Sequence, residues 1–397
     1  MIPAWTAASL RFVRGVGAIL QLLSFLVGAG IPTTVWAQEG FYVIPSLAVA
    51  EVFDDNLFYT SENREQDLIT RFTPDIQFGY RSTPFTLTGH YTFDAEVYAS
   101  HSELTTAQAR QLASIDARYL PKPSWTLALT TAYAETQRPQ ELNQVSGLAA
   151  GRQRASEFSF SPSTAYRFNP LTEGTGAYRF TRTESGGDSG EEQSAILGFN
   201  RRLTALDTAS LGYIFRYFSF TGDEVSGDDT TTSNAFLLGW TRQITPLTRV
   251  ELRAGPRFSS GDVNAEAAVS VRRRLKYGEL ALAYARTQDL STGVGAAVDT
   301  DSVAGLLSYQ ISPFLRVGVE PLFARNSAED SDANVYQIRL SSVYQLNKWL
   351  SFQGSYYFSY QQGSIDSSGG TEQNNDDNIH HNVIFLGVVI TYPYRIH

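Results

Sequence analysis

Residues 67–100 read DLITRFTPDIQFGYR, then STP, then FTLTGHYTFDAEVYAS. In the first run Leu68, Phe72, Ile76, Phe78 and Tyr80 occupy even positions, with Arg71, Thr73, Asp75, Gln77 and Arg81 between them. In the second run Phe85, Leu87, Tyr91, Phe93 and Val97 are odd, alternating with Thr86, Thr88, His90, Thr92, Asp94 and Glu96. Alternation with period two gives an extended chain one apolar and one polar face. Each run holds about 14 residues, against the usual ~5–6 of a strand. A strand tilted by about 45° crosses a bilayer in about 9–11 residues. Ser82-Thr83-Pro84 then reads as a tight turn between two membrane-length strands.

The same hairpin rhythm continues to about residue 392, and no amphipathic helix follows to cover the apolar face. Closing the sheet on itself in lipid buries that face and removes both edges. The pattern predicts an all-β fold, a transmembrane antiparallel β-barrel of about 18 strands with 16 as the alternative. One set of connections is short: Pro121–Ser124, Asn169–Thr172, Thr204–Asp207, Thr245–Thr248, Lys276–Gly278, Ser312-Pro313 and Asn347-Lys348. The other is longer and polar: Gln137–Gly151, Ser185–Gly190, Gly222–Asp229, Leu290–Asp299, Asn326–Ala333 and Gln362–Asn378. Barrels of the outer membrane have short periplasmic turns and longer outer loops, and an even strand number puts both ends of the sheet on the periplasmic side.

Composition fits one such domain. Phe 24, Tyr 21 and Gly 31 are abundant, and the mean hydropathy of -0.20 is too polar for a bundle of membrane helices. The net charge of -9 argues against nucleic acid as a partner. The absence of cysteine excludes thiolate metal sites, c-type haem attachment and disulfides. At the N-terminus Arg11 and Arg14 precede an apolar stretch, Gly15 to Ile31, and Val35-Trp36-Ala37 fits a cleavage site. This layout predicts a signal peptide over 1–37 and a barrel over 38–397, against the alternative of an anchoring helix.

Candidate residues follow from parity. Arg71, Asp75, Arg81, His90, Asp94, Glu96, Arg118 and Arg167 fall on the polar face of their strands and would line a lumen. There they act either as a transverse field that selects charged solutes or simply as paired wall charges. Arg249, Arg253 and Arg257 share one register. The third outer loop, with Arg138 and Glu141, would fold inward as a constriction; this expectation rests on loop order. Tyr59, Trp125, Tyr213, Tyr217, Trp240, Trp349, Tyr356 and Tyr360 suit the aromatic girdles of a barrel. The acidic groups Asp54-Asp55-Asn56, Asp223-Glu224, Asp228-Asp229 and Asp376-Asp377 lack calcium-loop spacing and read as solvated loop acids. No metal site, cofactor or catalytic residue is expected, since no nucleophile is tied by sequence to His90, His101, His380, His381 or His397.

Two segments carry a resemblance. Ile44-Pro45-Ser46-Leu47 leads into Val49, Glu51, Phe53 and Asp55-Asn56-Leu57-Phe58, and Asp67–Ile76 follows. Together they resemble the start of the outer-membrane β-barrel porins encoded near exopolysaccharide export genes, including a group associated with PEP-CTERM protein sorting. The specific part covers 41–80. The resemblance implies an outer-membrane location and a pore-like architecture. Gly387, Ile390 and Tyr392 have the spacing of the C-terminal signal read by the barrel-insertion machinery, although the chain continues to His397. Expected partners are therefore outer-membrane lipids and lipopolysaccharide, the insertion machinery, and exopolysaccharide export components. The expected function is a passive channel for polar solutes or a part in exopolysaccharide export. The alternative is a non-conducting barrel that serves an envelope complex.

Overall fold

A computed structural model describes residues 40–222, 229–259, 261–294, 296–328, 331–363, 378–392 and 394–395. The segment read as a signal peptide, residues 1–37, lies outside the described residues, as do Asp223-Glu224, Asp228, Asp376-Asp377 and His397. Eighteen long strands follow one another in the chain. They are β1 (Gly40–Asp54), β2 (Asp67–Arg81), β3 (Phe85–Tyr98), β4 (Thr106–Lys122), β5 (Trp125–Thr136) and β6 (Ala155–Asn169), then β7 (Thr172–Ser185), β8 (Asp188–Arg202), β9 (Asp207–Thr221), β10 (Asp229–Thr245), β11 (Thr248–Ser259) and β12 (Asp262–Leu275). The last six are β13 (Gly278–Leu290), β14 (Ala297–Gln310), β15 (Leu315–Ala328), β16 (Ser331–Gln345), β17 (Leu350–Gln362) and β18 (Asn378–Thr391).

Each strand pairs antiparallel with its neighbour in sequence, and β1 pairs with β18 from Ser46–Thr391 to Asp54–Val383, so the sheet closes. Two further residues, β19 (Tyr394–Arg395), continue the seam against Val43 and Tyr42. No α-helix occurs among the described residues; two single 3-10 turns, Ser102–Leu104 and Pro139–Glu141, sit in loops. Period-two alternation decides which face looks where. Leu197, Leu211, Leu238, Leu282 and Leu386 lie exposed on the outer wall, Leu238 by 68%. A belt of that kind is stable only against lipid.

The outer connections differ from the loops expected from composition. Ser185–Gly190 and Asn326–Ala333 are mostly strand: β7 and β8 are separated only by Gly186-Gly187, and β15 and β16 only by residues 329–330. The ladders run past the bilayer's apolar band of about 25 Å, and beyond it both strand faces are polar. Gly186 and Gly187 have φ of 63° and 105°, the left-handed values that a two-residue hairpin turn requires.

Two departures shape the interior. The loop of residues 137–154 enters the barrel. In addition, β12 and β13 pair over only nine rungs, from Leu275–Gly278 to Ala267–Arg286. Above that level Asp262–Glu266 pairs only with β11, and Thr287–Leu290 only with β14. The outer tip of the β13–β14 hairpin leaves the wall and leans across the lumen. A Cβ built on Gly190 of β8 would lie 2.7 Å from Leu290 Cδ1, so glycine at this position lets the tip approach without pushing Leu290 aside.

Candidate functional site

The lumen is the candidate site, and its outer half is packed. Arg71, Asp75, Arg81, His90, Asp94, Glu96, Arg118 and Arg167 all share the face opposite the exposed apolar residues of their strands. They divide by level. Near the long-loop end, Glu96 is 0% exposed and accepts from two guanidiniums. Arg138 grips it at 3.1 and 2.9 Å, and Arg71 reaches it at 2.6 Å. Tyr98 donates to the same carboxylate and accepts from Arg138 at 3.0 Å and from Arg152 at 2.7 Å. Asp94 takes Arg110 at 3.0 Å. His90 pairs with Asp75. A buried carboxylate is tolerated where paired charges and hydrogen bonds saturate it, and here β2, β3, β4 and the loop converge to do so.

Arg138 and Glu141 lie on the inward loop, 3.7 Å apart, and Glu141 also accepts from Thr136 at 3.0 Å. Burial disfavours the charge on Arg138, and the neighbouring Glu96 carboxylate more than offsets this, so its pKa stands well above the usual arginine value. Beyond this anchor the loop crosses to the far wall. Gln140 donates to Ser359 of β17 at 3.0 Å, Ala149 N to Gln361 of β17 at 2.9 Å, and Asn326 of β15 to Ser146 O at 2.9 Å. Asn143 exchanges two hydrogen bonds with Thr292, at 2.7 and 3.0 Å, and Ser291 donates to Ser146 at 3.1 Å. The loop therefore joins the leaning hairpin as well as the wall. Leu148, Val294, Val298, Ala324, Ala328, Ala333 and Val335 form an apolar cluster between them. Gly147, at φ 67°, allows the turn inside the loop, and Gln140 and Gln337 both donate to its carbonyl.

Two open spaces stand out among the described residues. One, of about 730 Å³, lies beneath the loop among Asp54, Arg71, Arg110, Arg138, Glu320 and Arg339. The other, of about 760 Å³, sits at the short-turn end among Arg167, Arg202, Arg249, Arg253, Glu173 and Glu251. Arg249 pairs with Glu251 at 2.7 Å. Arg81, Arg118, Arg167, Arg202 and Arg253 have no ion-pair partner within 4.0 Å among the described residues, so this half of the lumen is electropositive.

Asp54 is not a solvated loop acid. It ends β1 at 2% exposure and holds His381 Nε2 at 2.9 Å, with Asn56 N donating to it at 3.0 Å. Asp55 is engaged by Asn382 through its backbone N at 2.6 Å and Nδ2 at 2.7 Å. Asp54, Asp55 and His381 place ligand atoms within 4.8 Å of one another, with Asp54 Oδ1 and both Asp55 oxygens already accepting hydrogen bonds. His380 and His381 lie near the start of β18.

Tyr59 departs from the girdle expectation. It is 3% exposed inside the outer rim, edge-on to His381 at 4.6 Å, and burial raises its pKa well above the ordinary phenol value. The other girdle candidates sit on outer-wall positions or in turns; Trp349 stacks on Tyr392 at 4.7 Å. Gly387 faces inward against Ala50, while Ile390 is exposed on the outer wall and Tyr392 lies just beyond β18. Parity did not single out Gln140, Asn143, Ser146 or Asp299 as residues of the packed interior. The amide-rich run Gln137, Gln140, Asn143, Gln144 was the available signal, because side-chain amides can satisfy a polar wall from within.

An even-stranded, closed antiparallel barrel with an apolar outer belt is an outer-membrane structure. No family model matches this sequence, and no curated protein matches it. Among solved structures, the chain is similar to the siderophore receptor PirA from Pseudomonas aeruginosa, at 9% identity over 90% of this chain and 82% of that one, with a TM-score of 0.43. It is similar to the FrpB iron transporter from Neisseria meningitidis, F3-3 variant, at 8% identity over 89% and 82%, TM-score 0.44. It is also similar to a mutant of the ferric enterobactin receptor PfeA from Pseudomonas aeruginosa, at 9% identity over 90% and 81%, TM-score 0.46.

Proposed function

We propose that the protein is an outer-membrane conduit for anionic polar solutes, entered through an arginine-lined vestibule and restricted by the inward loop. The observation that carries this reading is the vestibule at the short-turn end, with Arg167, Arg202, Arg249 and Arg253 around one space of about 760 Å³. Arg167, Arg202 and Arg253 have no ion-pair partner among the described residues, and unpaired guanidiniums lining a wet mouth with low-dielectric walls raise the local concentration of anions. The resemblance to barrels of exopolysaccharide gene clusters makes an acidic polysaccharide the cargo of choice, moving outward. The same vestibule would meet barrel-associated export components.

The test is single-channel conductance of the refolded protein in a planar bilayer under a salt gradient. The expected result is a reversal potential of anion-preferring sign that moves toward cation preference in R167Q/R202Q/R253Q. The second reading, a non-conducting barrel of an envelope complex, is favoured by the hydrogen-bonded packing of the outer half. A folded wild-type barrel silent under every salt and voltage would select it.

A further inference from the structure

The β13–β14 hairpin tip occupies the lumen, yet its sequence is that of a wall strand. The ladder between β12 and β13 stops at Ala267–Arg286. Extending the same register by four rungs would pair Glu266 with Thr287, Ala265 with Gln288, Asn264 with Asp289 and Val263 with Leu290. In that register the apolar and the acidic side chains fall on suitable faces. Val263 is already 66% exposed on the outer wall, and Leu290 shares parity with the exposed Leu280 and Leu282, so both would face outward. Asn264, Asp289, Glu266 and Thr287 would point inward. A one-residue offset would reverse all of this, so the side-chain pattern is compatible with the continued register.

The observed state also leaves polar groups unmatched at this place. Arg257, 1% exposed, holds Asp299 of the hairpin through Nη2 at 2.7 Å to both carboxylate oxygens. Its Nε and Nη1 and the Asp289 Oδ2 are buried and lack a protein partner among the described groups. The strand edges Asp262–Glu266 and Thr287–Leu290 lack their cross-strand ladder. Against these costs stand the interactions made inside the lumen: Thr292 with Asn143, Ser291 with Ser146, and Val294 and Val298 in the apolar cluster. The β14–β15 ladder also skips Gly305 and Leu306 opposite Glu320 and Pro321, where proline offers no N–H, and this gap in the pairing is where the hairpin can bend.

We propose that the outer tip of the β13–β14 hairpin is a gate with two docked positions: leaning inward against the 137–154 loop and β8, which closes the lumen, or zipped to β12 in the continued register, which completes the wall and frees the lumen. The consequence for conduction rests on the channel reading above; the movement itself does not.

The chain has no cysteine, so paired cysteines report without background. S146C/S291C replaces hydroxyls 3.1 Å apart and locks the inward position. V263C/L290C is within crosslinking reach only in the zipped position, where directly opposed Cβ atoms are ~5 Å apart. Both are made in the full chain, refolded in bilayers, and treated with oxidant or a short bis-thiosulfonate. Crosslinking is read by gel mobility and single-channel conductance before and after reductant. The expected results are crosslinking of both pairs, a several-fold rise in conductance for V263C/L290C, loss of conductance for S146C/S291C, and reversal of each by reductant. If S146C/S291C crosslinks fully while V263C/L290C never does, the hairpin is fixed and the gate is overturned. If V263C/L290C crosslinks and conductance stays unchanged, the hinge movement stands and the channel reading fails.

Discussion

At the scale of single residues, the buried Glu96 carboxylate fixes how the loop is held. Arg138→Ala would leave Glu96 with Arg71 as its one guanidinium beside the Tyr98 hydroxyl, and removing one partner of a buried pair typically costs about 3–5 kcal/mol. Because Arg71 remains at 2.6 Å, the lower end, about 3 kcal/mol, is the expected cost. The loop should detach before the barrel unfolds, so conductance should become noisier and larger while thermal unfolding of the sheet shifts little. A drop in barrel stability without a change in current would place Arg138 in the wall's support instead. His101 gives a pH-dependent contact. Its imidazole lies between Asp67 at 2.9 Å and Glu65 at 2.6 Å, and these hydrogen bonds raise its pKa above the usual histidine value. A histidine with a raised folded pKa stabilises fully below its unfolded pKa, near ~6.5, and loses that contribution as pH rises through the folded value. The difference in unfolding temperature between wild type and H101Q should thus be largest in mild acid and vanish at alkaline pH. A difference that is constant with pH would mean that His101 acts through packing alone.

Among elements, the inward loop and the leaning hairpin share one core, so neither should behave independently. Excising residues 140–148 removes Leu148 from the apolar cluster and Asn143 from Thr292. Conductance should rise several-fold, and the rise should exceed that of R138A because the hairpin loses its inner partner too. Unchanged conductance would count against any constriction by this loop. The strands and their facing were legible in sequence because a barrel wall leaves one side in lipid, and Leu68, Phe72 and Ile76 had to alternate with Arg71 and Asp75. The ends were not. Past the apolar band, Ser185, Asp188 and Ser189 lie in a polar setting on both faces, so composition suggests a loop where the ladder continues. The lean of β13 was hidden for a related reason. Thr287–Leu290 keeps the alternation of a wall strand, and period two reports which side faces out, not whether the strand stays in the wall. Tyr59 escaped sequence reasoning because an aromatic near a strand end has the same signature at a lipid boundary and inside a plug.

For the whole molecule, closure matters more than any one contact. The β1–β18 seam spans nine rungs and resumes with Tyr394 and Arg395 on Val43 and Tyr42, so the first and last strands close the wall. Among the described residues, the long outer connections are not spread evenly around it. Those of residues 55–66, 99–105 and 137–154 all lie between β1 and β6, and the longest of the three turns inward. On the opposite flank, β7–β8, β11–β12 and β15–β16 join by only two residues each. Seen from outside the cell, the described rim is therefore raised between β1 and β6. Antibodies raised against intact bacteria, and phages that use the protein as a foothold, would find purchase on residues 55–66 and 99–105, and sequence drift under such pressure would be free to run there while the two-residue hairpin turns between β7 and β8, β11 and β12, and β15 and β16 stay unchanged.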